Sequence, residues 1–152
     1  MSFDEKVQDL GITLSGAAPA IGAYIPAVQT GKLLFISGQL PSHSGKILIA
    51  GKVGQEVELH HAQDAARLCA INALDAIKSQ LGSLDKVKRI VRLEVFVHSA
   101  PGFGEQAQVA NGASKLFHEV FGPAGQHARL AVGVAELPLN AAVELALIVE
   151  VK

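Results

Sequence analysis

The stretch Leu59 to Leu81, LHHAQDAARLCAINALDAIKSQL, decides the fold. Apolar residues recur at Ala62, Ala66, Cys69, Ala73, Ile77 and Leu81. That spacing of three or four lays one stripe along an α-helix and turns it toward a core. Gly82 supplies the stop, because glycine adopts the left-handed conformation that ends helices. Beyond it, Val91, Leu93, Val95 and Val97 alternate with Arg92, Glu94, Phe96 and His98. A period of two is the pattern of a half-buried strand, and Pro101-Gly102 breaks it.

Working outward toward the C-terminus, a second helix spans about Glu105 to Phe121, with Val109, Ala113, Leu116, Phe117 and Val120 on its inner face. Gly122-Pro123 ends it. Two strands follow, about His127 to Val134 and Ala142 to Val151, joined through Ala135-Glu136-Leu137-Pro138. Toward the N-terminus, two β-like runs, Tyr24 to Val28 and Leu33 to Ser37, are separated by Gln29-Thr30-Gly31-Lys32, which reads as a hairpin turn. Ser42 to Lys46 forms another turn, and Ile47 to Ala50 reads as a short edge strand. The Gly- and Ala-rich segment before Pro26 is suited to wrapping a site. Ser2 to Leu10 reads as a short helix stopped at Gly11. The order predicts an α+β fold, a mixed sheet with two helices packed on one face. The other face then needs a cover, and self-association is the obvious one.

The 152 residues are one domain's worth. Charged residues make up 18%, below the typical quarter, which also points to a surface buried between subunits. A net charge of -1 gives no electrostatic footprint for nucleic acid or an anionic membrane. With no Trp and 5% aromatics, base-stacking platforms are not expected. Cys69 is the lone cysteine, so no internal disulfide is possible. The start MSFDEKVQDL has no apolar segment of a secretory signal, and no apolar run approaches a membrane span. The expected setting is reducing and cytoplasmic.

By side-chain parity, Leu130, Val132 and Val134 share one face of their strand, with Arg129, Ala131 and Gly133 on the other. In the last strand Val143, Leu145, Leu147 and Val149 oppose Ala142, Glu144, Ala146 and Ile148. The bulky faces would lie under the helices. Each small-residue face then bears one charged group with space around it. Arg129 is suited to a carboxylate, because its planar fork donates two parallel hydrogen bonds. Glu144 can accept a proton or orient water if partial burial raises its pKa. An ordinary cross-strand ion pair is the competing account, and parity leaves both open. Tyr24, Ser37 and Asn111 also have bland readings, as a strand-start tyrosine, a turn cap and a solvent-facing helix residue. His60-His61 has no His or Cys partner at metal-ligand spacing, so no metal site is expected. Cys69 sits on the helix stripe as a core residue. No nucleophile elbow, phosphate loop or dinucleotide fingerprint is present.

Two runs carry a resemblance. Ala20-Ile21-Gly22-Ala23-Tyr24 with Leu34-Phe35-Ile36-Ser37-Gly38-Gln39-Leu40-Pro41 resembles the N-terminal signature of the reactive-intermediate (imine/enamine) deaminase family, called YjgF-like and also labelled liver perchloric-acid-soluble endoribonuclease. Ala128 to Pro138, followed by Val143-Glu144-Leu145, resembles its second signature. The match extends over nearly the whole chain after about residue 18, with residues 1–17 as an N-terminal extension to a single domain spanning 1–152. The resemblance implies a chorismate-mutase-like (bacillus-type) α+β fold, a homotrimer, and pockets at subunit interfaces. It implies that Arg129 binds the carboxylate of a small-molecule ligand, Glu144 orients water and Tyr24 covers the ligand, with Ser37, Asn111 and Ala131 at pocket positions. Ala131 stands where a cysteine is common in the best-studied subgroup, and Leu130 where a small polar residue is usual. The implied chemistry hydrolyses 2-imino acids to 2-keto acids and ammonia, with no cofactor or metal. A non-catalytic trimeric binder of 2-keto acids is the alternative, and an endoribonuclease fits the composition less well.

Overall fold

In the computed structural model, which describes residues 1–152, the chain runs α1 (Phe3–Asp9), β1 (Ala27–Thr30), β2 (Leu33–Gln39), β3 (Ser42–His43), β4 (Lys46–Ile47), α2 (Leu59–Leu81), β5 (Val87–His98), α3 (Gln106–Phe121), β6 (Ala128–Val134) and β7 (Val143–Val151). The main sheet has five strands in the order β1-β2-β7-β5-β6. It is mixed, because β5 and β6 are parallel while the other pairs are antiparallel. α2 and α3 pack side by side on one face. Gly112 makes that possible: a Cβ there would overlap the backbone of Gln63, so only glycine allows the two helices to approach so closely. No helix is long and apolar enough to cross a membrane.

The stripe of α2 is buried as its period requires, from Ala62 through Cys69 to Ile77, and Gly82 caps the helix with φ 87°. β7 alternates as expected, with Val143, Leu145, Leu147 and Val149 in the core. Two local readings shift. β1 begins at Ala27 rather than Tyr24, because Pro26 fixes its own φ and has no N–H for a ladder. Lys46 and Ile47 pair back onto His43 and Ser42 instead of forming an edge strand over 47–50. Ser44 (φ 51°) and Gly45 (φ 77°) make that hairpin the mirror-image turn that tight β-ribbons prefer.

The third difference is larger. The last two strands are not neighbours, since β5 lies between β7 and β6. In addition, β6 is inverted relative to the parity expectation. Arg129 sits beside Leu93, a core residue, and reaches up to α3. Ala131 packs half-buried against the core. A Cβ on Gly133 would crowd Ser99 Oγ at 2.8 Å and Gln106 Nε2 at 2.9 Å. The small residues of β6 are thus small because α3 and its lead-in press on them. Leu130 and Val132 turn instead to the open face, where Val28, Phe35 and Val132 remain 41–50% exposed. Nothing within the chain covers that apolar face.

α1 is fastened to the core by a polar clasp. A capping box ties Ser2 to Glu5, and the Phe3 and Phe121 rings meet edge to face at 4.9 Å. Asp4 accepts from the Ser83 hydroxyl (2.5 Å) and the Leu84 amide (3.4 Å), and pairs with Lys78 (3.3 Å). Burial alone would raise the Asp4 pKa, but these donors together pull it below the ordinary 3.8. Its stabilisation is therefore present above pH 3.8 and lost as the pH falls through the depressed value. Asp4→Ala should cost about 1–3 kcal/mol, read as a Tm lowered by a few degrees at neutral pH and by less in strong acid.

Candidate functional site

The residues singled out from the sequence fall into two groups, on opposite faces of the sheet. The first group surrounds Glu144. Alternation on β7 places this side chain on the open face, between buried Val143 and Leu145. There it borders a cavity of about 260 Å³ lined by Tyr24, Ser37, Gly38, Gln39 and Pro138, among others. Gly38 lies where β2 and β7 slip register between Ile36 and Gln39. A Cβ at Gly38 would overlap the Glu144 carboxylate, so glycine is what admits the acid at this point. Burial raises the Glu144 pKa above the ordinary 4.5.

Ser37 Oγ donates to the Ile25 carbonyl at 2.6 Å. It thereby holds the segment that carries Tyr24, which is the tying role its bland reading anticipated, here at the rim of a cavity. The Tyr24 ring is 48% exposed and lies against Gly22, with an ideal Cβ position only 3.0 Å from the ring. A phenol so placed can close over a ligand without first being dug out of the core.

The second group surrounds Arg129, on the edge strand β6. Its Nη1 donates to Asn111 Oδ1 at 2.8 Å and to Ser114 Oγ at 3.2 Å, and its Nη2 donates to the Ala107 carbonyl at 3.3 Å. The guanidinium is therefore held in one orientation by α3 while the residue stays exposed. Behind Ser114 stands His127. Its Nδ1–H donates to the Gly125 carbonyl at 2.6 Å, so its Nε2 is free to accept the Ser114 hydroxyl at 2.9 Å. Burial, and then the nearby His118 and Arg129 charges, lower the His127 pKa below 6.5, outweighing the Gly125 carbonyl. This keeps the ring neutral and the relay intact.

Ser114 and His127 were not singled out from the sequence. A serine inside a helix and a histidine just before a strand carry no spacing signal, and only tertiary packing brings them behind Arg129. Because the folded-state pKa of His127 is lowered, its contribution is full above pH 6.5 and lost as the pH falls through the depressed value. His127→Gln should accordingly flatten the fall in Tm between about pH 7 and pH 5, measured by calorimetric scans of both proteins.

No ion pair joins Arg129 to Glu144. Leu93 of β5 is opposite both Arg129 and Leu147, while Phe96 is opposite Glu144. Two strand spacings and three residues along the sheet put their Cα atoms roughly 14 Å apart, and their side chains leave opposite faces. Asn111 is with Arg129; Tyr24 and Ser37 are with Glu144. Ala131 lies on the same side of β6 as Arg129, whereas Leu130 points away from it to the open face. One chain thus holds an exposed guanidinium and a half-buried acid on opposite faces of its sheet, too far apart to meet.

A separate trio, Glu58, His60 and His61, has ligand atoms within 4.8 Å of one another, all on exposed residues. Sequence spacing had not suggested this grouping. Adjacent histidines reach one another here because they stand at the first turn of α2, beside its extended Glu58 cap.

Comparisons with known proteins agree with this architecture. A Trypanosoma cruzi protein, TCP17, is 47% identical over 146 residues, covering 95% of this chain and 91% of its own. A crystal structure of an Agrobacterium tumefaciens protein is 48% identical with a TM-score of 0.92, over 99% of this chain and 92% of that one. A 2-iminobutanoate/2-iminopropanoate deaminase of Dermatophagoides farinae is 28% identical over 90% of this chain and 91% of its own. Residues 4–151 match the family described as YjgF/chorismate mutase-like, putative endoribonuclease. The fold is that of this group, and the chain belongs to the YjgF/chorismate mutase-like family.

Proposed function

We propose that the protein is a hydrolytic deaminase of reactive 2-imino and enamine acids, releasing 2-keto acids and ammonia from a site that two copies complete. The observation that carries this reading is the division of the site. A fixed, exposed Arg129 on the β6 edge and a half-buried Glu144 at a small cavity on the opposite face of the sheet are complementary halves. When one copy's β6 edge meets the next copy's cavity, the contact uses two different patches. Such head-to-tail contacts repeat until they close into a ring. We take the ring to be a homotrimer, as the family resemblance implies, with the apolar open face turned inward.

In the completed site Arg129 holds the ligand carboxylate through donors not engaged by Asn111, Ser114 and Ala107. Tyr24 covers the side chain. Glu144 orients a water at C2 of the imine and takes a proton as the oxygen adds. The carbinolamine that forms then collapses: Glu144 passes the proton to nitrogen, the C–N bond breaks, and the hydroxyl proton, taken up by Glu144, follows the departing nitrogen as the C2 carbonyl forms and ammonia leaves. A carboxyl whose pKa is raised by burial suits both halves of this exchange. Water is the only co-reactant, and neither a cofactor nor a metal enters the proposal. The relative named as an iminobutanoate deaminase supports the substrate class. Cytoplasmic placement belongs to the same proposal and rests on the single buried thiol, Cys69.

The test couples purified protein to an amino-acid-oxidising enzyme that generates 2-imino acids, and follows 2-keto acid formation. Acceleration over the uncatalysed rate is expected, and its absence across several imino acids would sink the reading. A second reading, a carboxylate binder without turnover, rests on Arg129 being a complete anchor without Glu144. Tight 2-keto acid binding by calorimetry with no acceleration would favour it. RNA cleavage is not favoured, because a net charge of -1 provides no counterpart to a phosphate backbone.

A further inference from the structure

A second cavity, of about 460 Å³, lies on the other side of the Ser15–Ile21 segment. It shares Ala18, Pro19, Ile21, Leu40 and Ser42 with the Glu144 cavity but not the acid itself. α2 contributes two of its lining residues, Asn72 and Asp75. They are three residues apart on one helix face, so their side chains are neighbours.

Asp75 is only 8% exposed, and no lysine, arginine or histidine pairs with it. Its Oδ1 accepts the Gly16 amide at 3.0 Å, while its other oxygen takes no hydrogen bond from the protein. Asn72 donates both to the Leu40 carbonyl (2.9 Å) and to the Ser42 carbonyl (2.9 Å). That fixes its amide nitrogen against β3 and leaves its oxygen without a protein donor. The cavity wall therefore offers a carboxylate oxygen and an amide oxygen that no protein donor engages. Both oxygens border a space large enough for a small molecule.

We propose that this cavity binds the ammonium end of a small organic molecule, with Asp75 as its counter-ion and Asn72 as a second acceptor. An ammonium group brings only donors, which is what two unmatched acceptors require. An anion is excluded, because the loop amides that could hold one already donate, Gly16 to Asp75 and Ala17 to Ser79. Calcium would need six to eight oxygen ligands, and one carboxylate with one amide falls well short. The inference is independent of the imine reading, since Asp75 and Asn72, the two groups proposed to hold the ammonium, line only this cavity and not the one at Glu144.

The competing account is that Asp75 only tethers the loop through Gly16. Asp75→Asn separates the two, because asparagine keeps the oxygen that accepts the Gly16 amide and loses the charge. The probes are n-butylammonium and n-butanol, alike in size and differing in charge, titrated into full-length ¹⁵N-labelled protein. n-Butylammonium should shift the Gly16 amide and the Asn72 side-chain amide saturably, and n-butanol should not. Asp75→Asn should weaken the ammonium response at least about tenfold, as expected for loss of a charge-assisted hydrogen bond. Glu144→Gln should leave it in place. The proposal is overturned by no saturable shift, by an equal response to n-butanol, or by an unchanged response in Asp75→Asn. It is overturned too if Glu144→Gln abolishes the shifts, which would place the ammonium in the other cavity, or if calcium alone reproduces them.

Discussion

Glu144→Gln should lower imine hydrolysis by about two to four orders of magnitude while leaving 2-keto acid affinity near that of the wild type. The expected split follows from where the carboxylate sits. It faces a cavity over Gly38, away from the guanidinium proposed to anchor the ligand, so its loss should remove proton transfer and not binding. Glutamine has the same shape and fits the same gap. Stability gives an independent check with a definite sign. Burial raises the folded-state pKa of Glu144 above 4.5, so ionising it costs folding energy at neutral pH. That penalty appears as the pH rises through the interval from 4.5 to the raised value, and is constant above it. The variant should therefore melt no lower than the wild type at pH 7, and the difference should close below pH 4.5. A dead variant that also melts lower would mean the carboxylate was structural. Unchanged turnover in a folded variant would remove Glu144 from the chemistry.

How far the sequence could lead is clearest on β6 and β7. The parity of β7 was legible because it is a central strand under α2, where every second residue must be apolar. On β6 the same reasoning reversed the strand. An edge strand lies partly beyond the helices, and its bulky residues can face an apolar surface that one chain leaves open. Size alone therefore does not say which face is the core. Gly133 and Ala131 marked the close approach of α3 and its lead-in, not an open pocket. The adjacency of β6 and β7 was also unavailable from periodicity, since nothing local shows that β5 inserts between them. Parity singled out Arg129 and Glu144 but left an ion pair open, and Tyr24, Ser37 and Asn111 gained their place only through family spacing. Periodicity could not show that they divide into Arg129 with Asn111 and Glu144 with Tyr24 and Ser37. Ser114 and His127 gave no signal because their role is to brace Arg129, and bracing residues have no pattern along the chain. The helices α2 and α3 needed nothing from tertiary context, because each carries its own stripe and its own glycine stop.

Arg129→Ala should abolish measurable carboxylate binding, with a loss on the order of 2–5 kcal/mol, because one partner of a charge-assisted pair is removed. Arg129→Lys should rescue little of it, since a single ammonium cannot reproduce the planar fork that Asn111, Ser114 and Ala107 hold in place. The stronger consequence comes from mixing the two dead proteins. If Arg129 and Glu144 of one chain shared a site, every site in a mixture of Arg129→Ala and Glu144→Gln chains would lack one group, and activity would stay at zero. With the halves on opposite faces and roughly 14 Å apart, each site instead takes its arginine from one copy and its acid from the next. Unfolding the two variants together at equal amounts and refolding them should then restore about a quarter of wild-type activity. That is the chance that an intact Arg129 meets an intact Glu144 across a head-to-tail contact in a closed ring. Size-exclusion chromatography with light scattering shows whether the refolded material is a trimer. Zero activity from a correctly assembled mixture would contradict the shared site, even if both single variants behave as expected. A recovered fraction near one quarter could not arise from a site contained within one chain, because no chain in the mixture carries both groups.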